Sequence, residues 1–260
     1  MARAQASLTT RDATGAGPDS VARICNAGGR SPVLLICEHA SNHLPESYGD
    51  LGLGAAERES HIAWDPGALG VSHHLSRILD APLVSATVSR LVLDLNRDPG
   101  APDSITVLSE RTVVPGNANL APAERDRRVA EIYDSFHGAI DRFLAARAAP
   151  TLAVISVHSF TPVYREVDRP WQIGLIFDAD ERLARRVEAG LRRDPGLSVG
   201  MNQPYSPADR VFHTLERHAA RRGLARLMVE IRNDLIRQPD QQASWASRLA
   251  PLIEEALGGV

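Results

Sequence analysis

Apolar residues in this chain gather in short runs separated by longer amphipathic stretches. The runs Val33–Cys37, Pro82–Ala86, Leu91–Leu95, Leu152–Val157, Gln172–Phe177 and Leu227–Arg232 are largely apolar and five or six residues long. Runs of that length, bounded by Pro, Gly, Asp and Asn, predict strands, and the most continuous of them predict strands buried on both faces. Leu69, Val71, Leu75, Ile78 and Leu79 recur at helical spacing, which predicts a helix from about 66 to 79. Further helices are expected near 122–147, 180–193, 211–222 and 239–257. Strands alternating with helices argue an α/β fold of three αβα layers, with helices on both faces of one sheet.

Between these elements lie stretches with no period. Residues 1–29 are rich in Ala, Gly, Ser, Thr and Asp and predict a flexible or partly ordered N-terminal arm. Within it Val21–Ile24 fits an edge strand or a turn of helix. The remainder, 30–260, is expected to form a single α/β hydrolase domain. Residues 99–119 carry prolines, glycines and asparagines, and so long an irregular connection in a compact domain tends to be functional.

Composition narrows the classes without choosing among them. Hydrophobic residues make up 43% and charged residues 23% of the 260, ordinary values for a globular chain. A formal net charge of −3 offers no electrostatic case for nucleic acid or an anionic membrane. The arginine clusters at 125–128 and 221–222 fall on helical stretches and read as solvated faces. Two cysteines, Cys25 and Cys37, are too few for a disulfide framework. No apolar run approaches the roughly 18 residues that span a bilayer, and the N-terminus shows no signal-peptide h-region. A cytoplasmic enzyme acting on a small molecule, as a monomer or small homo-oligomer, is the expectation.

Candidate chemistry collects at the ends of the expected strands. The first end carries Glu38, His39, Asn42 and His43, and the third carries His158-Ser159-Phe160. The second, Ser89 to Arg97, places Arg90, Asp94, Asn96 and Arg97 around one strand, and the fourth carries Glu230 and Arg232. Ligand sites in α/β sheets lie at the carboxyl ends of strands. Two histidines and a carboxylate suit a catalytic zinc, which takes three protein ligands and leaves a place for water. A neighbouring glutamate suits the base that deprotonates that water, and a fixed guanidinium suits a substrate carboxylate.

As an ordered set these pieces resemble the N-formylglutamate amidohydrolase family. The match runs through Cys37–Pro45, His61–Ala68, Ser89–Arg97, Val157–Phe160, Asn202–Ser206 and Val229–Leu235. That family is similar in turn to the zinc carboxypeptidases. The resemblance implies a central mixed, mostly parallel sheet of the phosphorylase/hydrolase type. It also implies hydrolysis of the amide of a small N-acyl amino acid, with N-formyl-L-glutamate as the family's substrate and Zn2+ or another divalent metal as cofactor. His158-Ser159-Phe160 looks like the carboxypeptidase motif that supplies a zinc ligand. Asp94-Leu95-Asn96-Arg97 looks like the motif whose Asn and Arg hold the substrate carboxylate, and Glu230-Ile231-Arg232 like the one whose Glu is the base.

The metal ligands expected on this basis are His39, His158 and a carboxylate. Where carboxypeptidases have His-x-x-Glu, this chain has His39-x-x-Asn42, so the third ligand stays open among Asp65, Glu38 and Asn42. Asp65 is equally placed to cap the helix that follows it. Glu230 is the expected base, with an ion pair to Arg232 as the alternative. Arg90 is a candidate for stabilising the oxyanion. Asn96, Arg97 and Arg232 are candidates for binding substrate, and Tyr205 and His218 line the pocket by resemblance. His43 and His61 are expected nearby or at the surface, and His73 and His74 on a helix. The alternatives to an amidohydrolase are an idle relative that binds a metabolite, or a peptidase or deacylase with another substrate.

Overall fold

A computed structural model describes residues 20–258. Eleven strands are present among them: β1 (Ala22–Cys25), β2 (Val33–Cys37), β3 (Leu83–Ala86), β4 (Leu108–Ser109), β5 (Thr112–Val113), β6 (Ala153–Phe160), β7 (Val163–Tyr164), β8 (Val167–Asp168), β9 (Ile173–Ile176), β10 (Val199–Met201) and β11 (Ala225–Arg232). The helices are α1 (Ala55–Glu59), α2 (Ala68–Ile78), α3 (Pro122–Arg128), α4 (Ser135–Ala146), α5 (Arg182–Leu191), α6 (His213–His218) and α7 (Pro239–Leu257). A π-helical stretch, Val129–Asp134, joins α3 to α4, so the long helix expected over 122–147 is one rod with a widened turn.

Seven strands form the central sheet in the order β1-β3-β2-β6-β11-β9-β10. β3, β2, β6 and β11 run parallel, whereas β1 and β9 are antiparallel to their neighbours β3 and β11. The expected mixed, mostly parallel sheet with helices on both faces is therefore present. β4–β5 and β7–β8 are separate two-stranded hairpins. Of the expected N-terminal arm, 1–19 lies outside the described residues, and Ala22–Cys25 is the edge strand.

Alternation sorts each central strand onto two faces. Val33, Leu35 and Cys37 on β2, with Ile155, Val157, Leu227 and Val229, pack against α2, α5 and α7. Leu34, Ile36, Val154 and Met228 face the other way, onto a second core built with Phe136 and Ile140 of α4. Extending that second face two residues along each strand reaches Glu38, Ser156 and then His158, and Glu230. His158 and Glu230 are direct partners in the β6–β11 register. The parity of the strands thus places a carboxylate, an imidazole and a second carboxylate on one face at one edge.

The run Leu91–Leu95 departs from expectation: it is a buried loop, not a strand. Its apolar side chains fill the second core, which is what the run signalled, yet its backbone joins no ladder. Side chains satisfy its carbonyls instead: Asn117 donates to Leu91 O, Arg128 to Val92 O, and His137 to Leu95 O. A short apolar run marks burial, and these distant partners decide its conformation. The short strand β10 and the two hairpins carry too little apolar pattern to be seen beforehand.

Candidate metal centre

Three chain segments are stitched together beside the end of β2. Asp65 N–H donates to His39 O at 2.9 Å, Ser89 N–H to His43 O at 2.8 Å, and Ser89 Oγ to Ala63 O at 2.8 Å. These bonds hold His39, Asp65 and the 89–97 loop against the β6–β11 pair. The result is a cavity of about 280 Å³ whose floor includes His39, Asp65, His158 and Glu230.

His39, Asp65 and His158 each offer one ligand atom, and those atoms lie within 4.8 Å of one another. Asp65 Oδ2 is 2.7 Å from His158 Nδ1 and 3.5 Å from His39 Nδ1. The far side of each ring is backed by a carboxylate. His39 Nε2 lies 2.7 Å from Asp94 Oδ1, and His158 Nε2 lies 3.1 Å from Glu38 Oε2, which also accepts from Ser156 Oγ at 2.6 Å. Metal-ligating imidazoles are commonly oriented by a carboxylate on the second nitrogen; Asp94 holds His39 in this way, whereas Glu38 lies beside His158 Nε2 without a hydrogen bond to it. Asp65 does not cap α2: the N-cap is Gly67, with no side-chain bond. Its carboxylate instead reaches His158, Ser159 N and Arg90.

Unpaired atoms and charge both fit a divalent cation here. His39 Nδ1, His158 Nε2, Glu38 Oε1 and Glu230 Oε2 are buried without a hydrogen-bond partner among the described residues. Glu38, Asp65, Asp94 and Glu230 are all at most 7% exposed. Burial alone would raise the first three, but the imidazoles overcome it. His158 draws Glu38 down to about 2, His39 and His158 hold Asp65 low, and His39 with Arg90 holds Asp94 well below the usual carboxylate range. Burial also disfavours charge on His158, yet Glu38 and Asp65 keep its pKa well above the ordinary value. Glu230 differs. Burial raises it to about 7, with His158 opposing and Asp65 adding to the rise. A buried site with excess negative charge, two imidazoles and a carboxylate suits a borderline-soft divalent ion such as zinc.

The N-formylglutamate amidohydrolase family matches residues 31–237. The chain belongs to that family. Membership places it among the amidohydrolases. A search of curated proteins finds no match. Among solved structures, a gene product of Agrobacterium tumefaciens is 44% identical, with a TM-score of 0.89, over 92% of this chain and 96% of that one. An N-formylglutamate amidohydrolase from Ralstonia eutropha shares the fold at 21% identity and a TM-score of 0.61, over 93% of this chain and all of its own.

The remaining site candidates divide by location. Arg90 lines the cavity and bridges Asp65 Oδ1 and Asp94 Oδ2, both at 3.1 Å. Arg97 lines it too, donating to Asp209 O and lying 3.7 Å from Asp103. Asn96 borders the cavity, but its amide donates to Val211 O and accepts from Thr214 N, which pins α6 to the site. Tyr205 is a wall residue. Arg232 pairs with Asp234 at 2.8 Å and is not among the lining residues, and Glu230 is left without it. Asn42 donates to Arg58 O, away from the triad. His61 meets Glu110 at 2.9 Å on the rim, and His218 is buried against His137 at 2.8 Å. Cys25 and Cys37 are free thiols. No helix among the described residues is long and apolar enough to cross a membrane.

Sequence reasoning gave no individual role to Asp94. Asp94 carried a signal, since an acid inside the apolar run 91–95 needs a buried partner.

Proposed function

We propose that this protein hydrolyses the amide of a small N-acyl amino acid, N-formyl-L-glutamate first among them, with a divalent metal, zinc by preference. The observation that carries the proposal is the convergence of His39, Asp65 and His158 beside Glu230, whose Oε2 is buried and unpaired. The cavity, at about 280 Å³, sits at the small end of small-molecule sites.

His39, Asp65 and His158 would hold the ion. A bound divalent ion supplies Lewis acidity, polarising the acyl carbonyl and lowering the pKa of water toward neutrality. Glu230, poised near 7, takes the proton from the attacking water and passes it to the departing amine nitrogen. Arg90 holds Asp65 and Asp94 in place and presents its guanidinium to the cavity, where developing negative charge on the carbonyl oxygen is favoured. Arg97 and Tyr205 are placed to orient the substrate and so to fix its carbonyl against Glu230.

The test compares zinc-loaded wild type with Glu230→Gln on N-formyl-L-glutamate. Loss of an oriented base should lower kcat by about 10²–10⁴ at unchanged zinc content. Equal turnover by the two proteins removes Glu230 from the chemistry, and no turnover by wild type removes the substrate.

A further inference from the structure

The β4–β5 and β7–β8 hairpins border the cavity of the metal centre, and neither pairs with the central sheet. Leu108 and Ser109 line the cavity from the first hairpin, Tyr164 and Arg165 from the second. Their bases are fixed. Buried Asn117 donates to Thr106 O at 2.8 Å, and Arg169 N–H closes the second hairpin onto Pro162 O at 2.8 Å. Their tips meet. Arg111 Nη2 lies 2.8 Å from Glu166 Oε1, with the two side chains 71% and 78% exposed. An ion pair so exposed adds little, so tips joined by it part easily. The turn Arg165-Glu166 holds φ of 50° and 68°, a left-handed pair that fits a two-residue hairpin turn and keeps the β7–β8 hairpin a stiff unit.

Apolar side chains concentrate on the same two hairpins. Of the seven large apolar side chains exposed among the described residues, five lie on or beside them: Val107, Leu108, Val113, Val163 and Val167. Residues directly opposite in an antiparallel pair share a face, which places Val113 with Leu108 and Val167 with Tyr164. Leu108, Val113 and Val167 are 54%, 57% and 66% exposed, so both apolar pairs meet water beside one cavity mouth. Apolar surface gathered in this way marks a place that becomes covered. Because the tips already touch, each hairpin is the nearest cover for the other. Fixed bases, a weak latch and few buried contacts are the features of segments that move as a unit.

We infer that the two hairpins form a lid over the metal centre. It opens to admit a ligand and closes on it by bringing the Leu108–Val113 and Tyr164–Val167 faces together, with Arg111 and Glu166 latching the tips. Closure removes bulk water from the cavity, which strengthens every electrostatic interaction inside it. The lid rests on the hydrolase reading for its ligand but not for its movement.

Hydrogen exchange of the zinc-loaded protein, read by mass spectrometry, follows that movement directly. Arg111→Glu and Glu166→Arg should each speed exchange at 107–114 and 162–169 by about two- to fivefold. The double variant restores the pair with its charges swapped and should return to within about 1.5-fold of wild type. All three should keep the wild-type melting temperature within about 2 °C, since both positions are exposed. Saturating L-glutamate, the amino acid that the proposed reaction releases, should slow the same amides by about fivefold or more. Val167→Asp, which sets a charge where the faces meet, should lose most of that slowing. Exchange unchanged by either charge reversal, or a double variant that stays fast, overturns the inference. So does L-glutamate that binds by calorimetry and leaves hairpin exchange unchanged. If L-glutamate does not bind, the substrate reading falls and the charge-swap cycle alone decides the lid.

Discussion

Asp94 offers a sharp test of the metal centre, because it touches no ligand position yet supports one. Its Oδ1 lies 2.7 Å from His39 Nε2, its Oδ2 lies 3.1 Å from Arg90, and its Oδ1 also accepts from Asn96 N at 2.9 Å. Asp94→Ala removes a charge-assisted contact worth about 1.5–3 kcal/mol, which both orients the ring and raises its basicity. At about 1.4 kcal/mol per decade, zinc should bind about 10–100-fold more weakly. The same change strips one of two carboxylates from half-buried Arg90, which keeps Asp65, so the fold should lose about 1–3 kcal/mol as well. Asp94→Asn separates the two effects. It keeps the shape and an acceptor for Nε2–H but loses the charge, and should weaken zinc by about tenfold or less. Competition with a chromophoric chelator reads the affinity, and circular dichroism confirms that each variant is folded. A folded Asp94→Ala protein that binds zinc within twofold of wild type would falsify the arrangement of His39 as a carboxylate-backed ligand.

Other expected outcomes follow from particular contacts. Stripping metal with a chelator should abolish turnover and lower the melting temperature, and stoichiometric zinc should restore both, since a ligand at a thousand times its Kd stabilises by about 4 kcal/mol; activity that survives with no metal detectable by elemental analysis speaks against the centre. Gly174 is the cross-strand partner of Glu230, and a Cβ there would fall 2.1 Å from the backbone oxygen of Gln203. Gly174→Ala should therefore destabilise by about 1–3 kcal/mol and lower kcat/KM by displacing Tyr205; an unchanged melting temperature contradicts this. His137 is fully buried, and burial first, then the neighbouring His218, push its pKa down to about 3. Below about 6.5 the unfolded chain takes up this proton while the folded chain does not, so stability is full at pH 7 and erodes as pH falls toward 3. The loss by pH 5 is about 2 kcal/mol, and metal-free His137→Gln should show a correspondingly flatter denaturation profile between pH 7 and 5; an identical slope refutes the assignment.

Much of the site could be anticipated because strand parity is a local property. Leu34-x-Ile36-x-Glu38, Val154-x-Ser156-x-His158 and Met228-x-Glu230 each carry an apolar stripe onto a polar end. Any parallel pairing in register brings those ends together. The three-layer fold was readable for the same reason, since it follows from runs and periods. The loop at 91–95 was not. Its apolar content signalled burial correctly, but its conformation depends on Asn117, Arg128 and His137, each more than a dozen residues away except through the fold.

Sequence alone determined which residue types stand at the sheet edge and which face they take, because alternation and helical period act over a few residues. Tertiary structure decided who meets whom. It turned Asp65 toward His158 rather than toward its own helix, and set Asp94 behind His39. Those outcomes depend on hydrogen bonds across 55 and 93 residues of chain, for His39–Asp94 and His158–Asp65 respectively. Contacts of that reach are selected by the packing of the whole domain, and no short window of sequence contains both partners.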